Sequence, residues 1–144
     1  MREFQIFAKP AGARCNLRCA YCYYLSYQDS ESRMMPDDLL EIYIRRHIRA
    51  CCDPTIQFSW HGGEPTLLGL ESFRKIVALQ KKCCPAGKRI INGIQTNGLL
   101  LDREWCRFLA AEGFTVGLSM DGPEFVRNRF RLSSWHFQIQ GCPD

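Results

Sequence analysis

The sequence lacks the features that would place the chain in a membrane, in a secretory pathway or on nucleic acid. No apolar run approaches the roughly 18 residues of a membrane-spanning helix. The first residues, MREFQIFAKP, lack the apolar core of a signal peptide. Basic residues form no broad field, since the net charge is +4 and part of it comes from RNRFR at 127–131. We therefore expect a cytoplasmic protein with neither a membrane nor a nucleic-acid partner.

Internal repeats, low-complexity tracts and linkers are also absent. The 144 residues correspond to one ordinary domain, which is long enough to bury a core. Apolar residues make up 46% of the chain and charged residues 24%, a composition typical of soluble globular proteins. The sequence therefore predicts a single globular unit.

Hydrophobic periodicity predicts strands that alternate with helices. Strands are predicted at 4–9, 55–60, 89–98 and 114–123, and helices at 35–52, 70–84 and 102–113. This order favours an α/β fold with a parallel sheet and right-handed crossovers. Ligands of such folds bind beyond the carboxyl ends of the strands. The four loops at that end contain a cysteine cluster, HGGEP, QTNG and SMDGP, so the chemically unusual stretches are predicted on one face.

Cysteine is abundant, with nine residues in the chain. A secreted protein would use them in disulfides, whereas in a reducing cytoplasm clustered cysteines hold metal and isolated ones are small buried apolar residues. Cys15, Cys19 and Cys22 fall within eight positions of the loop after the first predicted strand. The spacing C-x3-C-x2-C suits an iron–sulfur cubane. A zinc site with His61 as fourth ligand and a set of unligated thiols are the alternatives.

Two vicinal pairs, Cys51-Cys52 and Cys83-Cys84, fall at the carboxyl ends of predicted helices. Those ends lie on the face opposite the four loops. Adjacent cysteines form only strained disulfides. We therefore expect buried or idle thiols there rather than a second metal site. Cys106, on the third predicted helix, is expected in the core.

The stretch CNLRCAYC at 15–22 resembles the defining motif of the radical S-adenosylmethionine superfamily. The resemblance implies a 4Fe-4S cluster bound by Cys15, Cys19 and Cys22, with one iron left open. That iron would chelate the amino and carboxylate groups of S-adenosylmethionine. Reductive cleavage of the sulfonium would then give a 5′-deoxyadenosyl radical that abstracts a hydrogen from the substrate, and the protein would supply position and exclusion of water.

Longer stretches of the sequence indicate which family within this superfamily the chain resembles. CNLRCAYCYYL, WHGGEPTLLGLESF, IQTNGLLLDREWCRFL and FTVGLSMDGP are together similar to anaerobic sulfatase-maturating enzymes, over most of residues 4–131. The similarity implies a parallel (β/α) partial TIM-type barrel. It also implies an oxidoreductase that converts a Cys or Ser of a sulfatase polypeptide to Cα-formylglycine, with flavodoxin or ferredoxin as electron donor. A maturase of another peptide or protein, and an inactive cluster-binding or zinc-binding domain, are the alternatives.

The HGGEP stretch matches the motif whose backbone holds the amino group of S-adenosylmethionine in that family. The resemblance assigns this role to Gly62, Gly63 and Glu64, with Gly63 as the main contact. Glycines leave the backbone bare for close approach to a ligand. A plain tight turn is the alternative. Tyr21 is expected near the adenine, or else packs only against the neighbouring tyrosines.

Ser119 and Arg131 would, by the same resemblance, contact the carboxylate of S-adenosylmethionine. An arginine suits that role because its fork binds two oxygens. The alternatives are a backbone-capping hydroxyl for Ser119 and a solvated surface charge for Arg131. His61 is a candidate contact for a substrate peptide, and Asn97 is expected to satisfy the bend that ends the third strand.

The similarity ends near Arg131. The further barrel strands of the family, which carry the general base, and its cysteine-rich extension with auxiliary clusters are not recognisable here. We therefore expect residues 1–131 to be the amino-terminal part of a barrel and residues 132–144 a divergent tail, as in a truncated or frame-shifted form of a longer protein. The fourth strand would then have an unpaired edge and an exposed apolar face. Such a chain is expected to bind a cluster weakly and to turn over little.

Overall fold

A computed structural model describes residues 5–28, 33–123, 125 and 129–133, with residues 132 and 133 described by their backbone alone. In chain order the strands are β1 (Phe7–Ala8), β2 (Leu17–Cys19), β3 (Thr55–Trp60), β4 (Arg89–Thr96), β5 (Thr115–Leu118) and β6 (Arg131–Ser133). The helices are α1 (Leu25–Gln28), α2 (Asp37–Ala50), α3 (Leu70–Cys83) and α4 (Arg103–Ala111), with a short 3-10 helix at Pro65–Leu68. The predicted strand at 4–9 is observed as β1, and its residue 4 lies outside the described residues.

A parallel sheet has the strand order β1-β3-β4-β5. The register places Ile56 beside Ile90 and Ile94 beside Val116. Helices α2, α3 and α4 each connect one strand of this sheet to the next. The predicted β-α-β alternation and parallel sheet are therefore confirmed. Because all the strands run the same way, the loops that follow them emerge at one edge.

The core lies between one face of this sheet and the helices. Alternate residues of β3, namely Ile56, Phe58 and Trp60, are at most 1% exposed. Their neighbours in the core include Ile44 of α2 and Phe73 of α3. The rings of Phe58 and Trp60 stack with centroids 5.7 Å apart, and Trp60 meets Phe73 edge-on at 5.9 Å. The period-two pattern of β3 thus decides which face of the sheet is buried.

The opposite face of the sheet borders an open cavity of about 340 Å³. Side chains of the intervening strand positions line it, among them Gln57, Ser59 and Gln95. Gln5 donates a hydrogen bond to Ser59 Oγ at 3.0 Å within this lining. One face of the sheet is therefore covered by an apolar core, and the other borders a cavity lined by both polar and apolar side chains, among them Phe7 and Ile91.

A second, smaller sheet pairs β2 with β6 in antiparallel register, with Cys19 opposite Arg131. The backbone N–H of Ala20 also donates to the carbonyl oxygen of Phe130 at 2.8 Å. The sequence does not predict this sheet, because its two strands are short and far apart in the chain. The predicted boundary between 131 and 132 falls inside β6, and residues 134–144 of the predicted tail lie outside the described residues.

The cysteines outside the first loop are free thiols within the described ranges. The two vicinal pairs lie at the carboxyl ends of α2 and α3, as predicted. Cys106 is exposed, so its predicted core position is wrong. The buried positions of α4 are Trp105 and Leu109, one helical turn apart, and Cys106 lies off that face.

Strand β5 forms one edge of the parallel sheet and pairs with β4. Its apolar side chains Val116 and Leu118 are 41% and 50% exposed, in agreement with the expected exposed apolar face. No helix in the ranges described above has both the length and the apolar character needed to cross a bilayer.

Candidate functional site

The cysteine loop follows β1 and presents three thiols at the carboxyl end of the sheet. Its entry is a turn in which Gly12 N–H donates to the carbonyl of Lys9 at 2.9 Å. The Cys22 N–H donates to the carbonyl of Cys19 at 2.9 Å, which folds the second half of the loop. Cys15, Cys19 and Cys22 are all free and half-buried. All three thiols therefore lie in a single loop, and each is partly accessible to solvent.

This donor set has three thiols, as a cluster with one open iron requires, whereas a closed zinc site needs a fourth protein ligand. No three His, Cys, Asp or Glu side chains of the described residues converge as ligands of a single ion. Thiolates that bind separate irons of a cubane do not have to converge on one point. His61, the alternative zinc ligand, meets Phe7 edge-on with ring centroids 5.7 Å apart and lines the cavity. Burial, and then the charge of Lys9, lowers the pKa of His61.

The protein environment favours the neutral form of the Cys15 and Cys19 thiols. Desolvation by burial raises the pKa of both Cys15 and Cys19. Hydrogen bonds from Leu17 N–H, at 3.3 Å from Cys15 Sγ, and from the Asn97 amide oppose this rise at Cys15. A bound metal favours the thiolate, because its positive charge is close to the sulfur. Metal uptake by this loop would therefore release protons.

The glycine pair of HGGEP lets two loops pack backbone against backbone. Gly63 N–H donates to the carbonyl of Gly12 at 2.9 Å, and Glu64 N–H donates to the carbonyl of Arg14 at 2.8 Å. A Cβ on Gly63 would lie 2.1 Å from the Arg14 carbonyl oxygen. A Cβ on Gly62, where φ is +116°, would lie 2.8 Å from the Gly12 oxygen. Both glycines are thus required for contact with the cysteine loop, whatever else they bind.

The side chain of Glu64 is fully buried and serves as an acceptor for two loops. Its Oε1 accepts from Thr66 N–H at 3.0 Å, Thr66 Oγ1 at 2.6 Å and Thr96 Oγ1 at 2.7 Å. Its Oε2 accepts from Asn97 N–H at 2.7 Å. A buried carboxylate needs such donors. The Glu64 carboxylate therefore joins HGGEP to QTNG, and its backbone alone faces the cysteine loop.

Asn97 satisfies the bend after β4, as the sequence predicts, because its Oδ1 accepts from Leu99 N–H at 3.0 Å. It also reaches the cysteine loop, which the sequence does not predict. Its Nδ2 lies 2.8 Å from Asn16 Oδ1 and 3.6 Å from Cys15 Sγ. The third βα loop thus touches a candidate cluster ligand.

Asp121 of the SMDGP loop connects Tyr21 with Arg131. The Tyr21 hydroxyl donates to Asp121 Oδ2 at 2.5 Å. Arg131 donates from Nε to the same oxygen and from Nη2 to Oδ1 at 3.2 Å. These hydrogen bonds, from Arg131 first and Tyr21 second, lower the pKa of Asp121 to about 2. Arg131 is only 8% exposed, so the alternative of a solvated surface charge is wrong.

Ser119 follows β5 and lies beside Gln95 of β4. Gln95 Nε2 donates to Ser119 Oγ at 3.0 Å, and Ser119 N–H donates to the carbonyl of Thr96 at 2.9 Å. A Cβ on Gly117 would lie 2.2 Å from Gln95 Oε1. The glycine therefore leaves the space that Gln95 occupies beside Ser119.

The structure assembles these residues into connected groups at the carboxyl end of the sheet. Cys15 is linked through Asn97 to Glu64, and the HGGEP glycines rest on the cysteine loop. Tyr21 and Arg131 share Asp121. The linking roles of Asp121 and Gln95 were not predicted, although the QTNG and SMDGP motifs that contain them were singled out.

Comparisons with known proteins agree with this geometry. The radical SAM superfamily model matches residues 10–141. The serine-type anaerobic sulfatase-maturating enzyme of Bacteroides thetaiotaomicron is 42% identical over 134 residues, which cover 90% of this chain and 32% of that protein. The cysteine-type enzyme of Clostridium perfringens is 41% identical over 132 residues, covering 89% of this chain and 35% of that protein. The chain spans about a third of the length of these relatives.

Solved structures give the same result at the level of the fold. The structure of native anSMEcpe with bound AdoMet matches with a TM-score of 0.83 at 41% identity, covering 89% of this chain and 35% of that one. The structure with bound AdoMet and Cp18Cys peptide matches with a TM-score of 0.81 at 40% identity, covering 90% and 34%. The predicted α/β fold, part of a TIM-type barrel, is confirmed. Since the family match includes the cysteine loop and the three βα loops packed around it, the chain belongs to the radical SAM superfamily.

Proposed function

We propose that this chain carries the cofactor-binding part of a radical S-adenosylmethionine oxidoreductase that converts a Cys or Ser of a sulfatase polypeptide to Cα-formylglycine. The observation that carries the proposal is the single loop that presents Cys15, Cys19 and Cys22 beside the HGGEP loop. The similarity to both serine-type and cysteine-type maturating enzymes supports the substrate class.

The three thiolates are assigned as ligands of a 4Fe-4S cluster, which leaves one iron without a protein ligand. When bound, the cluster and S-adenosylmethionine supply reductive cleavage of the sulfonium and hydrogen abstraction from the substrate. The loop contributes three partly accessible sulfurs in a folded backbone. Flavodoxin or ferredoxin is proposed as the electron donor, from the chemistry of the family.

The amino group of S-adenosylmethionine is assigned to the HGGEP backbone. An ammonium group donates hydrogen bonds, so it needs carbonyl acceptors. The Gly63 N–H already donates to Gly12, and the Glu64 carboxylate is occupied by four donors. The carbonyl groups of Gly62, Gly63 and Glu64 are therefore the proposed contacts, and the Glu64 side chain has a supporting role.

The carboxylate of S-adenosylmethionine is assigned to Ser119 and Arg131. Donation from Gln95 to Ser119 Oγ leaves the hydroxyl proton available for a carboxylate. Asp121 takes Nε and Nη2 of Arg131, so a ligand would meet Nη1. Tyr21 keeps its ring 57% exposed while Asp121 holds its hydroxyl, an arrangement that suits stacking against the adenine.

The sulfatase peptide is assigned to the cavity on the face of the sheet opposite the helices. This cavity, about 340 Å³ in volume, is lined by His61, which precedes Gly62, and by Gln95, which donates to Ser119. Its position beside the proposed cofactor contacts would bring a peptide side chain close to the reacting centre. His61 is then a candidate contact for the peptide.

Anaerobic reconstitution with iron and sulfide tests the proposal. With excess iron and sulfide the chain should approach about four irons with acid-labile sulfide, weakly held, and should form small amounts of 5′-deoxyadenosine from S-adenosylmethionine under a strong reductant. Single substitutions Cys15→Ala, Cys19→Ala and Cys22→Ala should each abolish stable loading. Cys106→Ala is the matched control and should load like the parent, because Cys106 is exposed on α4, away from the cysteine loop.

Peptides from a sulfatase active site, one with Cys and one with Ser, test the substrate. Mass spectrometry and capture with a hydrazide should detect the aldehyde of formylglycine in at least one of them. Uptake of a single zinc ion without sulfide would contradict the cluster. Formation of 5′-deoxyadenosine without any change in either peptide would contradict the sulfatase substrate and leave the cofactor chemistry in place.

A further inference from the structure

The amide of Asn97 has a defined orientation at the end of β4. Its Oδ1 accepts from Leu99 N–H at 3.0 Å, so its Nδ2 faces the cysteine loop. An amide nitrogen carries two hydrogens. One can be donated to Asn16 Oδ1 at 2.8 Å, and the other to Cys15 Sγ at 3.6 Å, a distance suited to the larger radius of sulfur.

A buried carboxylate fixes the backbone of the same residue. Asn97 N–H donates to Glu64 Oε2 at 2.7 Å, and Glu64 is fully buried. The preceding residue, Thr96, donates from its hydroxyl to Glu64 Oε1 at 2.7 Å. The position of the Asn97 amide beside Cys15 is therefore fixed twice, by the hydrogen bonds of its side chain and by the hydrogen bond of its backbone N–H to Glu64.

Cys15 consequently receives two N–H groups on one sulfur, from Leu17 at 3.3 Å and from Asn97. Hydrogen bonds to the sulfurs of an iron–sulfur cluster are among the factors that set its reduction potential. They stabilise the reduced state more than the oxidised state, because the reduced cluster carries more negative charge. We propose that Asn97 is a positioning residue that raises the reduction potential of the cluster through its N–H bond to Cys15. This inference rests on the proposed function.

The test is a redox titration of the reconstituted cluster, in which electron paramagnetic resonance measures the fraction of reduced cluster at each potential. Asn97→Leu removes the N–H donor at nearly constant volume and should shift the midpoint potential to more negative values at parent-like iron and sulfide content. Asn97→Asp keeps an acceptor for Leu99 N–H and should shift the potential in the same direction. Cys106→Ala is the control, since Cys106 is exposed on α4 and belongs to none of the loops that contact Cys15, and it should leave the potential unchanged.

The outcomes separate this inference from the proposed function. A parent chain that takes up no iron and sulfide overturns both. A loaded Asn97→Leu or Asn97→Asp chain with the parent potential overturns the inference alone. Failure of both variants to load, with parent-like circular dichroism, also overturns it, because Asn97 would then be needed only for assembly.

Discussion

At Gly63 a side chain would collide with the backbone of the cysteine loop. The Cβ of Gly63→Ala would lie 2.1 Å from the Arg14 carbonyl oxygen, and the two loops would have to separate. We expect a loss of about 1–3 kcal/mol in the free energy of unfolding, as for other overpacked sites. Iron uptake should fall with it, since the cysteine loop would lose its support. Denaturant unfolding and iron per chain measure the two effects.

Gly93→Ala is the control for this substitution. A Cβ there would have its nearest neighbour, the Thr115 carbonyl oxygen, at 3.8 Å, which is an ordinary contact. This variant should keep the stability and iron content of the parent. If Gly63→Ala matched it in both measurements, the close packing of the HGGEP and cysteine loops would be contradicted.

At the scale of elements, Asp121 ties the cysteine loop, the loop after β5 and strand β6 together. Its pKa is about 2 in the folded chain, below the value near 3.9 of an unfolded aspartate. The ionised form therefore stabilises the fold. This contribution is complete above about pH 4 and is lost as the pH falls toward about 2. The parent should be more stable than Asp121→Asn near neutral pH, and the difference should shrink over that acid range in denaturant titrations.

Asp37 provides the comparison for Asp121. Its ion pair with Lys75, at 3.4 Å, joins side chains that are 78% and 73% exposed. Exposed pairs of this kind contribute little. Asp37→Asn should therefore change the free energy of unfolding near neutral pH less than Asp121→Asn does. A constant difference between the parent and Asp121→Asn down to the lowest pH would show that ionisation of Asp121 is not the source of its effect.

The elements that the sequence predicts are those determined by neighbouring residues. Helix α4 begins where expected because the Asp102 carboxylate accepts from Trp105 N–H at 2.8 Å, a contact three residues long. The β2–β6 sheet and the Tyr21–Asp121 hydrogen bond depend on segments about a hundred residues apart. The hydrophobic periodicity of a sequence gives no information on contacts between segments so far apart. The identity of the Cys15 neighbour, Asn97, was missed for the same reason.

At the scale of the whole molecule, the candidate cluster-binding and cofactor-binding residues lie at the carboxyl end of the parallel sheet. The sequence predicts this arrangement correctly, because the direction of parallel strands follows from the β-α-β order alone. The geometry within the site does not follow from that order. The resemblance assigns the backbone of HGGEP to the cofactor, for example, and the strand order does not indicate that the Glu64 carboxylate accepts hydrogen bonds from Thr66 and Asn97.

Because the predicted cluster ligands lie at the carboxyl end of the sheet, we can make a prediction for the cysteines elsewhere in the chain. Cys83 lies at the carboxyl end of α3, where its Sγ accepts from Arg45 Nη1 at 3.3 Å, and the other thiols of that end are half-buried or exposed. Replacing the five outlying cysteines of the described residues together by alanine should leave iron and sulfide uptake at the parent level, with Cys142, which lies outside the described residues, unchanged. The five positions are Cys51, Cys52, Cys83, Cys84 and Cys106.

The reason is position in the fold: four of these thiols lie where α2 and α3 end, at the edge of the sheet opposite the loop that follows β1, and Cys106 is exposed on α4. The matched comparison is Cys15→Ala in the otherwise unchanged chain, which should not load. Iron content that fell in the five-alanine chain, at parent-like circular dichroism, would place a second iron site at the far end of the sheet and contradict the confinement of the chemistry to one face.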